Sequence, residues 1–114
     1  MFEVSKEFRF EAAHSLPHLD YDSPCKRLHG HSYRFEVVCR GDLDERGFVI
    51  DYAEISDTVN PIIERLDHHN LNDLFDFHTS AENLARWLFE EIDLPQLFQI
   101  RLYETPKTCV VYPV

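Results

Sequence analysis

Two long stretches of strict alternation dominate the sequence and limit what it can become. Phe2, Val4, Phe8, Phe10 and Ala12 alternate with Glu3, Ser5, Glu7, Arg9 and Glu11. Successive side chains of an extended chain point to opposite faces, so this pattern predicts a strand with one buried face. Lys6 interrupts the apolar series, as a position near a sheet edge would. Tyr33, Phe35, Val37 and Cys39 repeat the pattern against Arg34, Glu36, Val38 and Arg40, predicting a second strand next to the first. The segment between them, His14 to Lys26, has two prolines and little apolar content. It is too long for a hairpin turn, and loops of that length in compact domains usually carry function, so it is expected to line a pocket.

The rest of the chain completes an α+β pattern. Gly41 to Gly47 reads as a turn region leading into Phe48-Val49-Ile50. Asp51, with Glu54 three residues on, opens a helix carrying Tyr52, Ile55, Val59, Ile62, Ile63 and Leu66 at helical spacing. Pro61 lies inside that spacing and predicts a kink, since it removes a hydrogen bond at about 3 kcal/mol. A second helix starts near Thr79-Ser80-Ala81-Glu82, presents Leu84, Ala85, Leu88 and Ile92 on one face, and stops by Pro95. Phe98–Glu104 and Thr108–Tyr112 form a terminal hairpin turning at Thr105-Pro106-Lys107. The expected architecture is one domain over residues 1–114: a four-stranded antiparallel sheet with two helices on one face, in the order ββααββ. Covering the other face calls for oligomerisation.

Composition narrows the function. Eleven Lys+Arg against twenty-one Asp+Glu give a net charge of −10, which repels nucleic acid and anionic membranes. The N-terminus has charges every second or third residue, so it is neither a signal peptide nor a span of about 20 apolar residues, and a cytoplasmic location is expected. Three cysteines at irregular spacing argue for reduced thiols with separate jobs. Cys39 and Cys109 read as core residues.

Seven histidines point to metal or proton chemistry. His29 and His31, two apart on a strand, can present both imidazoles to one ion, and an antiparallel neighbour can bring His14 opposite the pair. Three imidazoles with one open position is the donor set of catalytic zinc. His18 competes for the third position. Cys25 can instead close a structural His/Cys site, or serve as a reactive thiolate beside Lys26 and Arg27. Asp67 beside His68 can fix a tautomer, or the pair can be ordinary surface residues. Glu104 falls on the apolar side of its strand, where a carboxylate needs donors, or else ends the strand in water.

Taken in order, FEAAHSLPH, CKRLHGHSY, GFVIDYAEI, LDHHNLND, SAENLARWL and YET resemble the 6-pyruvoyl-tetrahydropterin synthase superfamily over nearly the whole chain, and within it look most like the 6-carboxy-5,6,7,8-tetrahydropterin synthase group of the queuosine pathway. The resemblance implies a tunnelling fold (T-fold) in which subunits form trimeric barrels, two of which stack as a hexamer with active sites between subunits. It implies zinc on His14, His29 and His31, a catalytic thiol at Cys25, a proton relay through Asp67 and His68, and a pterin anchor at Glu104. Ser80 keeps a hydroxyl where relatives cap the helix and touch the pterin, and Arg27 is a candidate for the triphosphate along with Lys26 and Lys107. The implied activity is a zinc-dependent lyase acting on a small-molecule pterin triphosphate. The 6-pyruvoyl reaction and a non-catalytic zinc domain are the rival readings.

Overall fold

The computed structural model describes residues 1–114. The two alternating stretches are strands of 13 residues each, β1 (Phe2–His14) and β2 (His29–Gly41). They pair antiparallel without a break, from Phe2 opposite Gly41 to His14 opposite His29. Then follow α1 (Tyr52–Leu66), β3 (His69–Asn70), α2 (Leu71–Leu74), α3 (Ala81–Glu91), β4 (Leu97–Thr105) and β5 (Thr108–Tyr112).

The sheet order is β3-β1-β2-β4-β5, with the four long strands antiparallel as expected. The four-stranded ββααββ pattern needs correction to five strands and three helices. The added strand is β3, two residues that pair parallel with Ala12 and Ala13. The added helix is the single turn α2, capped by the Asn70 side chain, which accepts from the Asn72 amide. Both are too short for hydrophobic periodicity to register. They serve to lead the chain from the end of α1 along the edge of β1.

One core lies between the sheet and the helices. Phe8, Phe10, Tyr33, Phe35, Val37, Ile100 and Leu102 from the sheet meet Ile55, Val59, Leu66, Leu71, Leu84 and Leu88 from the helices. Asp51 caps α1 by accepting from the Ala53 amide, and Ser80 caps α3 by accepting from the Asn83 amide. α1 runs through Pro61 as one continuous helix. Pro61 and Asp57 are both exposed, so the carbonyl that Pro61 leaves without a donor faces water. Cys39 is buried in the core, whereas Cys109 is exposed, because the alternation of β5 turns Val110 and Tyr112 inward.

The opposite face of the sheet is polar. On this face Glu3 pairs with Arg40 at 2.8 Å and Glu7 with Arg34 at 3.1 Å. Exposed apolar side chains gather instead at the end of the sheet remote from His14, where Phe2, Leu43, Phe48 and Tyr52 line a cleft of about 420 Å³. The outer edges of β5 and of most of β1 have no strand partner. No helix is long and apolar enough to cross a membrane.

Candidate active site

The β1–β2 register does the first piece of assembly. With His14 opposite His29 and Ala12 opposite His31, three imidazoles rise from adjacent strands on the core-facing side. Their ring centroids lie 4.5 Å (His14–His29), 4.8 Å (His29–His31) and 5.1 Å (His14–His31) apart. One ligand nitrogen from each lies within 4.8 Å of the others. Small side-chain rotations bring that spacing to what a single ion at about 2.0–2.1 Å from each nitrogen requires.

Hydrogen bonds set the tautomers. His14 Nδ1 donates to the Thr79 carbonyl at 2.7 Å, and His29 Nδ1 donates to the Arg27 carbonyl at 2.7 Å. A carbonyl only accepts, so both protons sit on Nδ1 and both Nε2 lone pairs are free for a metal. His14 Nε2 and His31 Nε2 are buried without a hydrogen-bond partner. Burial pushes the pKa of His14 and of His31 below the ordinary imidazole value, outweighing the opposite pull of Glu104, so both rings are held neutral. Orphaned, neutral, convergent nitrogens fit a metal ion better than they fit any partner the chain supplies.

Cys25 is not one of the converging ligands. It is half-buried on the single 3-10 turn Pro24–Lys26, and the loop is tied down by the Leu16 amide, which donates to the Cys25 carbonyl at 2.8 Å. His18 is not a ligand either. Its ring stacks on His78 with centroids 3.5 Å apart. The closed His/Cys site and the His18 alternative are therefore both set aside in favour of three histidines.

Glu104 faces the histidines from β4. Its carboxylate oxygens are 3.4 Å from His31 Nε2 and 4.0 Å from His14 Nε2, outside hydrogen-bonding geometry, and its side chain is 25% exposed. It shares a cleft of about 280 Å³ with Leu16, Leu102, Cys109 and Ser80, the cap of α3. Glu104 and Ser80, both given as pterin contacts by the family resemblance, meet in one depression. Arg27 enters the site through its carbonyl, and its side chain is exposed, as are Lys26 and Lys107.

Asp67 and His68 stand on the other side of β1. Asp67 caps the end of α1 and accepts from the Glu11 amide at 2.8 Å through Oδ1, while Oδ2 lies 3.0 Å from His68 Nδ1. The Glu11 amide, with help from His68, holds the Asp67 carboxyl below the ordinary carboxylate value. His68 has a left-handed backbone (φ 60°) and its amide donates to the Glu11 carbonyl. Both residues are thereby locked to β1, with the imidazole exposed. His68 opens on a cleft of about 530 Å³ with Glu11, Gly30, His31 and Ser32, and Cys25 is not part of that lining.

Sequence reading missed Thr79, which is 1% exposed and whose hydroxyl lies 3.3 Å from His14 Nδ1 and 3.2 Å from Asn72 Oδ1. It missed the buried hydroxyl of Tyr33 as well. Thr79 acts mainly through its carbonyl, for which no side-chain pattern is a signal.

The chain matches the family described as 6-pyruvoyl tetrahydropterin synthase over residues 3–113. It is 36% identical to a 6-carboxy-5,6,7,8-tetrahydropterin synthase of Synechocystis sp., covering 98% of this chain and 93% of that protein. It is 34% identical to a 6-pyruvoyl tetrahydrobiopterin synthase of Drosophila melanogaster, covering 96% and 77%. Among solved structures, the 6-pyruvoyl tetrahydropterin synthase of Caenorhabditis elegans superposes with a TM-score of 0.87 at 27% identity, covering 97% of this chain and 94% of that one.

Proposed function

The chain belongs to the 6-pyruvoyl tetrahydropterin synthase family, and from that premise we propose that it is a zinc-dependent carbon–carbon lyase. It converts 7,8-dihydroneopterin triphosphate to 6-carboxy-5,6,7,8-tetrahydropterin, releasing acetaldehyde and triphosphate, in 7-deazaguanine (queuosine) biosynthesis. The observation that carries the reading is the trio His14, His29 and His31, neutral and convergent, with Glu104 beside it. Zinc, held by those three imidazoles, supplies Lewis-acid polarisation of a substrate oxygen.

The remaining steps belong to the protein. Glu104 accepts two adjacent N–H groups of the pterin edge, a pairing that a carboxylate makes in bidentate fashion. Ser80, in the same cleft, adds a hydroxyl contact. Cys25 as thiolate takes and returns a proton at the substrate side chain. Asp67 holds the Nδ1 proton of His68, leaving Nε2 free to exchange a proton with substrate oxygen. Arg27, with Lys26 and Lys107, offers cations to the triphosphate. Because Cys25 does not line the cleft on which His68 opens, completing the site calls for a second copy. The unpartnered edges of β1 and β5 support ring closure into trimers, stacked as a hexamer.

The 6-pyruvoyl reaction, which eliminates triphosphate and keeps the carbon chain, is the second reading, favoured by the relatives from Drosophila and Caenorhabditis. Zinc-loaded protein incubated with dihydroneopterin triphosphate separates the two. Acetaldehyde and a 6-carboxy pterin by mass are expected. A 6-pyruvoyl product without acetaldehyde overturns the first reading in favour of the second, and no turnover with zinc bound would leave a structural zinc domain.

A further inference from the structure

Tyr33 is the buried polar side chain that none of this chemistry uses. It is 1% exposed, stacked on Phe10 (centroids 4.8 Å, planes 9° apart), and edge-on to His31 at 5.4 Å and His14 at 6.2 Å. Its hydroxyl is buried with no hydrogen-bond partner. A phenylalanine would fill the same space without leaving a donor unsatisfied, so the packing alone does not account for the oxygen.

The strand register says what lies within its reach. Arg34 is opposite Tyr103 in the β2–β4 pair, so one step on, and on the core-facing side, Tyr33 comes beside Glu104. A phenol hydroxyl donates and a carboxylate oxygen accepts, so the two are complementary. Glu104 itself lies against His31 Nε2 and His14 Nε2. His14 Nε2 carries a lone pair because its proton sits on Nδ1, whereas no hydrogen bond fixes the His31 tautomer, so His31 Nε2–H can face Glu104 in the metal-free chain and is spoken for once an ion binds. A carboxylate facing metal-bound imidazoles has lost whatever donors they could offer and needs another.

We propose that Tyr33 is a positioning residue: in the metal-loaded protein its hydroxyl donates to the Glu104 carboxylate and fixes that carboxylate for the incoming ligand. The inference rests on the metal site of the preceding section. In the metal-free chain the hydroxyl is a liability, and in the loaded chain it is a partner. The sign of its contribution to stability therefore depends on the metal.

Thermal melts of the wild-type protein and Tyr33→Phe, metal-free and zinc-loaded, test this without any turnover. Metal-free Tyr33→Phe should melt at or above the wild type, and the zinc-loaded variant should melt a few degrees below it. The reversal should vanish in a Glu104→Ala background. Zinc affinity should be unchanged, while affinity of the loaded protein for dihydroneopterin should weaken by about tenfold. An equal Tyr33→Phe effect with and without zinc, or a reversal that survives Glu104→Ala, overturns the inference. Wild-type protein that binds no dihydroneopterin sinks the pterin reading and leaves the melting test of Tyr33 intact. A chain that takes up no zinc sinks both.

Discussion

Replacing Cys25 with alanine separates the proposed lyase from its rivals, because the structure sets three different magnitudes for the same change. The thiol is half-buried and enters no hydrogen bond, and the contacts that hold its loop, Leu16 amide to Cys25 carbonyl and Cys25 amide to Ser23 Oγ, use backbone atoms that alanine keeps. Losing one partly buried sulfur should cost about 1 kcal/mol or less, a shift of a few degrees in melting temperature. The converging ligands are three imidazoles without the thiol, so zinc content should stay at one per chain. Acetaldehyde release, by contrast, should fall by about 10²–10⁴-fold, the range for loss of a positioned acid–base group. Metal analysis, a thermal melt and an acetaldehyde assay on the same preparation read all three. His29→Ala is the control and should lose the zinc itself. The reasoning fails if Cys25→Ala releases zinc, which makes the thiol a ligand, or if it keeps most of its activity, which makes the thiol a bystander.

Two further outcomes follow from the surroundings of His14. Burial lowers the pKa of His14 and His31 below 6.5, so between that value and the lowered ones the unfolded chain binds more protons than the folded one. Stability of the metal-free protein should therefore fall as pH drops through that window, by up to about 1.4 kcal/mol per pH unit for each histidine. Urea midpoints from about pH 7.5 to 5 measure this, above the range where the lowered carboxyls of Glu7, Asp44 and Asp67 begin to contribute. A flat profile contradicts the burial argument. Thr79→Ala should weaken zinc binding by less than about tenfold in a chelator competition, since the 2.7 Å bond from His14 goes to the backbone carbonyl and only the 3.3 Å hydroxyl contact is lost.

What was legible in the sequence was whatever repeats with a short period. Alternation in Phe2–Ala12 and Tyr33–Arg40 located β1 and β2, and once both strands are antiparallel neighbours, counting along them is enough to bring His14 to His29. The family resemblance added the expected roles of Cys25, Asp67, His68 and Glu104, none of which periodicity can assign. β3 and α2 left no trace because two and four residues span too little of any period.

The polar atoms around the histidines were invisible for a different reason, which also bears on how the site works. Alternation classes Tyr33 with Phe35 and Val37 as an inward-facing residue, and that is correct for the ring. It says nothing of the oxygen, whose state depends on Glu104 from β4, some 70 residues away in sequence. Likewise Glu104 is expected from the sequence on an apolar face in want of donors, and the structure puts it against two imidazole nitrogens, of which that of His14 carries a lone pair. A neutral imidazole nitrogen and a carboxylate oxygen are both acceptors, so their apposition is favourable only when something positive or protic lies between or beside them. An ion bound by the histidines meets the first condition and the Tyr33 hydroxyl the second. The mismatch of His14 and Glu104 in the bare chain is thus the reason to expect that metal, carboxylate and phenol are coupled.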